Sequence, residues 1–342
     1  MFAKLRNYVK KLLPASYWSF RRGVKDIVTE VHNGRDEATK ELARLHSEDR
    51  ISLERLESIS RECNALVTEV ASSQLTDRRA LRDLAMAVDK IVQQQEAMTQ
   101  TLGRVEGSLE ALAQSAETQG RAINETLWAE IFKDTTSSSD WLHDKTFSPG
   151  RWAVGYPYLY VLYRILNEVR PQRVLELGLG QSTRMMAQFA AGDDGVQHLV
   201  VEHDDDWIKF FSSNYRLPDS THIVKLDWDY VAHKEAEKVR VYSGFAQAVE
   251  GMQFDLISID GPLGGDMEQY ARIDVLGLLP GCLAPSFVIL LDDLERNAEA
   301  RTMHEMQSAL SEAGVDHLAC HYSGSKDLGL LCSTDLAFLC SL

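Results

Sequence analysis

The chain has 342 residues, 44% of them hydrophobic and 25% charged, with a formal net charge of −15. That length exceeds a usual single domain, and the acidity argues against nucleic acid as substrate, because a polyanion is held through lysine and arginine contacts to phosphate. The cysteines Cys63, Cys282, Cys320, Cys332 and Cys340 are odd in number and lack metal-ligand spacing, which points to reduced thiols and a cytoplasmic setting.

Residues 1–33 form a basic amphipathic segment. Lys4, Arg6, Lys10, Lys11, Arg21, Arg22 and Lys25 occur there without an acid before Asp26, interleaved with Phe2, Leu5, Tyr8, Trp18 and Phe20. Aromatics that enter a headgroup boundary and cations that meet anionic lipid suit residues 1–25 to the inner face of a membrane. A nucleic-acid arm and a capping segment for the helix that follows are the competing readings. Charged residues interrupt every apolar run, so neither a signal-peptide core nor a spanning helix is expected.

Residues 34–127 read as a coiled-coil stalk. No proline occurs between Pro14 and Pro149. Leu84, Val88, Ile91, Gln95, Met98, Leu102, Val105, Leu109, Leu112 and Ala116 alternate spacings of four and three, which is a heptad seam. An earlier set, Leu42, Leu45, Leu56, Ile59, Cys63, Leu66 and Val70, follows the rule in a shifted register, so a stutter lies between the two. A narrow apolar stripe must find a partner, and a second copy of the chain is the economical one. The stretch Thr135 to Ser139 ends the stalk inside a linker at 128–149.

The segment Val174-Leu175-Glu176-Leu177-Gly178-Leu179-Gly180-Gln181-Ser182-Thr183 opens the last domain, 150–342. An apolar strand running into spaced glycines makes a turn where a ligand can approach the backbone at a helix N-terminus. The dinucleotide fingerprint needs glycine or alanine where Thr183 stands, which disfavours a dehydrogenase. Further apolar runs, His198 to Val201, Thr221 to Leu226, Phe254 to Ile259 and Phe287 to Leu291, end at Glu202, Asp227, Asp260 and the pair Asp292-Asp293. In an open parallel sheet ligands lie beyond the carboxyl ends of the strands, so these acids are expected to converge. A helix over Arg301 to Ala313, a strand over His317 to Tyr322 and a last segment over Leu328 to Leu339 complete seven strands.

The loop and the acids resemble the class I S-adenosylmethionine (SAM)-dependent methyltransferases across about residues 150–342. The resemblance implies an α/β fold, a Rossmann-like seven-stranded sheet behind the stalk. It implies SAM held by Glu176, Gly178, Gly180, Gln181, Ser182, Glu202, Asp227 and Asp260, with Glu202 on the ribose hydroxyls and Asp227 at the adenine. Asp260, Asp292 and Asp293 are similar to the acids that hold magnesium in metal-dependent O-methyltransferases acting on sugars and catechols. There the metal binds two neighbouring hydroxyls and lowers the pKa of one. Many relatives of this class work without metal, and both modes stay open at this point. Where such enzymes carry a lysine or histidine base, three residues after the first acid, this chain has Leu263; Asp260, His304, Asp266, Glu268 and Tyr270 remain candidates. The reading is a methyltransferase for a hydroxyl of a sugar or glycan acceptor in a surface polysaccharide or its precursor. A small-molecule O-methyltransferase and a coiled-coil scaffold with a weak methyltransferase-like domain are the alternatives.

Overall fold

The computed structural model describes residues 54–55, 57–66, 68, 78–150 and 153–342. The basic segment 1–33, the heptad positions Leu42, Leu45, Leu56 and Val70, and Arg151 and Trp152 lie outside the described residues. The chain divides into two units, Met1–Glu110 and Ala111–Leu342.

In the first unit residues 57–66 are helical, and helix α1 (Arg78–Thr136) begins. Along α1 the seam residues Leu84, Val88, Ile91, Met98, Leu102 and Leu109 are half-buried while Gln95 and Val105 are exposed. The spacing of four and three therefore places an apolar stripe on one face of a continuous helix. Among the described residues no helix is long and apolar enough to cross a membrane.

The second unit begins earlier than the sequence suggests. Residues 128–149 are not a linker, because α1 runs through them to Thr136 and its last turns join the core. Trp128 packs at 5.3 Å from Tyr160 and edge-on to Tyr322, Phe132 and Leu142 are buried, and Arg121 pairs with Asp327 at 3.0 Å. Glu125 accepts from the backbone N–H groups of Tyr156 and Ser325. Burying Phe132 and Leu142 is worth several kilocalories per mole, of the order of 2 for each large side chain, and Trp128 packs partly buried beside them, so the segment folds with the domain.

Helix α2 (Tyr156–Arg164) leads to strand β1 (Arg173–Leu177), followed by α3 (Gln181–Ala191), β2 (Gln197–Glu202), α4 (Asp205–Asn214) and β3 (Thr221–Lys225). A hairpin, β4 (Trp228–His233) and β5 (Ala236–Tyr242), then precedes the short α5 (Phe245–Ala248). Strands β6 (Phe254–Ile259) and β7 (Leu283–Leu291), helix α6 (Asn297–Glu312) and strands β8 (His317–Ser323) and β9 (Asp327–Ser333) complete the fold. The main sheet has the order β3-β2-β1-β6-β7-β9-β8, with β9 antiparallel to both neighbours and the other pairings parallel.

Alternation along the strands divides the core. Val174, Leu256, Val288 and Leu290 face α2 and α3, while Leu177, Ile257, Ile259, Ile289 and Leu291 face α6 and Phe245. Glu176 and Ser258 are register partners in adjacent strands, so a carboxylate enters the first of these layers. The expected strands are all present. The sequence does not lead one to expect the hairpin β4–β5; Asp227 lies just before it and Asp229 within it.

Candidate active site

Gly178 follows β1 with φ +99, and a Cβ there would stand 3.0 Å from the backbone carbonyl of Asp260. Both the left-handed conformation and the close approach of the β6 turn require glycine. At Gly180, the N-cap of α3, a Cβ would meet nothing within 4 Å, so the loop backbone is open on that side. Glu202 grips the loop from the end of β2. One carboxylate oxygen accepts the Leu179 N–H at 3.0 Å, and the other accepts the N–H groups of His203 and Asp204 at 2.7 and 3.0 Å. Trp207 donates from its indole to the Leu179 carbonyl at 2.7 Å and stacks on Phe210. An open glycine backbone beside a strand-end carboxylate fits a nucleoside whose ribose offers two hydroxyl donors.

The remaining residues of this half divide by depth. Glu176 is fully buried; one oxygen accepts from Ser182 Oγ at 2.5 Å and the other meets His198 Nε2 at 3.0 Å. Both oxygens being taken, it fixes Ser182 from beneath the loop and does not present the free carboxylate that the sequence leads one to expect. The Gln181 carbonyl oxygen accepts from the Ser148 N–H and from Arg184. Asp227 lies at the surface, its side chain 78% exposed and paired with Lys225.

At the other half Asp260, Asp292 and Asp293 converge, with one oxygen of each within 4.8 Å of the others. Two of the protein's own cations sit among them. Arg272 lies 3.1 Å from Asp260 Oδ1 and 2.7 Å from Asp293 Oδ2, and donates to the Asp292 carbonyl at 3.0 Å. Lys326, 11% exposed, reaches Asp292 Oδ2 at 3.1 Å and Asp293 Oδ1 at 3.0 Å. Arg296 adds a contact to Asp293 at 2.9 Å and Glu299 closes the cluster behind Arg272. Arg272 and Asp293 both hold left-handed backbone, φ 58 and 62, a conformation costing about 1 kcal/mol or more in a residue with a side chain.

Burial pushes the Asp260 carboxyl up, more than Arg272 and Lys326 pull it down. Burial, and then the charge of Asp260, hold Asp292 well above the usual carboxylate range; its Oδ1 is buried without a partner, which favours a protonated form. Burial also disfavours the charge on Asp293, but Arg272, Lys326 and Arg296 outweigh it and the carboxyl is lowered.

This donor set does not fit a divalent ion as the sequence suggests. Magnesium demands near-octahedral oxygen ligands, whereas the converging oxygens are already neutralised by a guanidinium and an ammonium that would repel it. The chemistry open to the cluster is therefore that of its own side chains. Of the candidate bases only Asp260 belongs to the cluster, and at 16% side-chain exposure it is its most accessible acid. Asp266 is bound by Arg240, Tyr270 lies against Arg301, and His304 and Glu268 are exposed. Sequence reasoning missed Arg272 and Lys326, which sit in loops without periodicity. It also missed the hairpin, although Lys238 to Val241 alternates polar and apolar residues.

No protein-family model matches the sequence, and no curated protein matches it. Among solved structures the chain is similar to a Staphylococcus aureus protein assigned as a caffeoyl-CoA O-methyltransferase, at 12% identity over 62% of this chain and 99% of that one, with a TM-score of 0.39. It is similar to a Klebsiella pneumoniae protein assigned as an O-methyltransferase, at 13% identity over 64% and 99%, TM-score 0.40. The O-methyltransferase TomG of Streptomyces achromogenes, in complex with SAM, aligns at 11% identity over 62% and 89%, TM-score 0.38. By its own strand order, with the reversed β9 set between β7 and β8 and the glycine loop after β1, the unit Ala111–Leu342 has the class I SAM-dependent methyltransferase fold.

Proposed function

We propose that this unit is a SAM-dependent methyltransferase acting on a hydroxyl oxygen. The observation that carries the reading is the Gly178 turn: glycine is required there by conformation and contact, and the loop it opens is clamped by Glu202 at the end of the neighbouring strand. Gly178, Leu179 and Gly180 would lie along the nucleoside, with Glu202 accepting from its ribose. When bound, SAM supplies an electrophilic methyl group that passes to the acceptor oxygen as the sulfur–methyl bond breaks. Asp260, beside the glycine loop and partly accessible, takes the proton released by the acceptor hydroxyl. Its raised pKa makes it a stronger base than a free carboxylate while Arg272 keeps it oriented.

The acceptor we propose is a sugar hydroxyl of a surface polysaccharide or its precursor. Supporting this, Trp228 and Tyr230 form an edge-on aromatic pair on the β4–β5 hairpin, and the hairpin is tied by Arg240 to the loop after β6. The apolar α1 seam is proposed to pair with a second copy, and residues 1–25 to hold the protein at an anionic membrane. Light scattering on the full chain checks the first, with a monomer contradicting it, and sedimentation with anionic vesicles before and after deletion of residues 1–25 checks the second.

Calorimetric titration of the full chain with SAM, with NAD as comparator, tests the central reading. Saturable SAM binding without NAD binding is expected; no SAM binding by folded protein overturns it and favours the scaffold.

A further inference from the structure

We infer that Lys326 and Arg272 take the place of a divalent cation in the acid cluster, so that the chain closes Asp260, Asp292 and Asp293 with built-in charge and does not take up a metal there. Four carboxylate oxygens are engaged by these two side chains: Asp260 Oδ1 and Asp293 Oδ2 by Arg272, and Asp292 Oδ2 and Asp293 Oδ1 by Lys326. An ion seated between the acids would need those oxygens and would stand beside a guanidinium that is 3% exposed.

Three further observations agree. Arg272 is fixed from several sides, because it also donates to the Asp292 carbonyl and faces Glu299, so it cannot turn away without leaving buried acids unpaired. Its left-handed backbone, and that of Asp293, are strained conformations that persist only where the surroundings over-determine them. Counting Glu299 and Arg296, the cluster sets the four acids Asp260, Asp292, Asp293 and Glu299 against the three cations Arg272, Lys326 and Arg296. It is therefore nearly neutral as it stands.

The two cations differ in one respect. Lys326 comes from the turn between β8 and β9, at 11% exposure, and can be changed without emptying the centre. It is the exchangeable half of the substitution. In the proposed reaction, the acceptor oxygen meets an ammonium where a metal enzyme would present an ion; this consequence rests on the methyltransferase reading, while the absence of metal binding does not.

Titration of the full chain with manganese(II), followed by the electron paramagnetic resonance of the free ion, tests the inference independently of SAM. Wild type is expected to leave the ion free, and Lys326→Met to bind it at least roughly tenfold more tightly. Asp292→Asn in the Lys326→Met background removes that gain, and Lys326→Arg, which keeps the charge, does not show it. Wild-type binding that is lost in Asp292→Asn overturns the inference, as does a folded Lys326→Met with no gain. If circular dichroism shows Lys326→Met to be unfolded, Lys326→Gln is titrated in its place and read by the same two criteria. Failure of the chain to bind SAM would remove the methyltransferase reading and leave this result intact.

Discussion

The two halves of the strand-end region keep their buried acids by opposite means. At β1 and β2, Glu176 and Glu202 are met by a hydroxyl, imidazoles and backbone N–H groups, almost all from residues close by in the sequence or in adjacent strands. At β6 and β7, Asp260, Asp292 and Asp293 are met by full positive charges brought in from distant loops. Neutral donors leave a carboxylate its negative charge, and at Glu202 that charge stands beside the open glycine loop. A buried guanidinium instead spends the carboxylate's charge inside the protein, which makes the second half a fixed electrostatic frame.

The largest effect expected from breaking this contrast is Arg272→Met, which leaves Asp260 and Asp293 with one charged partner fewer in a buried site. Removing one member of a buried ion network costs about 3–5 kcal/mol. Chemical denaturation of the variant should show a loss of that size. A loss under about 1 kcal/mol would mean that water reaches the cluster and the frame is not rigid.

Glu202→Ala is the matching change on the other side. It frees the N–H groups of Leu179, His203 and Asp204 to find water, and losing hydrogen bonds to a charged acceptor costs about 1.5–3 kcal/mol. Stability should fall by less than in Arg272→Met, while SAM affinity falls by roughly tenfold or more, since 1.4 kcal/mol is a factor of ten. Equal affinity for SAM in the variant would move the ribose elsewhere.

The same contrast explains which parts of the site could be read in the sequence. Glu202 and Asp260 announce themselves because each ends an apolar run, and the sheet brings such ends together. Arg272 reaches Asp292 across 20 residues and Lys326 reaches it across 34, from segments with no periodic pattern, so no local signal marks them. The role of Glu176 departs from expectation for a related reason: the sequence places it at a strand end but does not say that His198, on the next strand, and Ser182, a turn later, will take both of its oxygens. The fold was legible because strand runs and the glycine turn are local. The start of the domain was not, because Trp128 and Phe132 continue a helix whose earlier turns carry a different kind of apolar stripe.

Asp274 sharpens the comparison as a buried acid with neither remedy in full. One oxygen accepts the Tyr242 N–H at 2.6 Å, the other has no partner, and burial pushes the carboxyl up to about 7. A folded-state pKa raised above the ordinary 3.8 means that the native state favours the protonated form. The contribution of Asp274 to stability is therefore greatest below about pH 4, declines as pH rises toward 7 and levels off above it. Asp274→Asn should remove that slope, with little change near pH 4 and a gain of about 1–4 kcal/mol at pH 8. Thermal melts across pH 4 to 8 read the difference, and parallel curves for variant and wild type would show that Asp274 is hydrated.

The smallest effect concerns Asp227, the one strand-end acid that joins neither half. With its side chain 78% exposed and its partner Lys225 also near solvent, water and salt screen the pair, so Asp227→Ala should leave the melting temperature almost unchanged. Its effect on SAM discriminates more finely. A carboxylate held only by an exposed lysine is free to turn, so a ligand adenine can recruit it by hydrogen bonding from the amino group. In that case Asp227→Ala weakens SAM by several-fold, about 1 kcal/mol, without touching stability. Unchanged affinity by calorimetry would confine recognition to the Gly178 loop and Glu202, where backbone and carboxylate are already fixed before any ligand arrives.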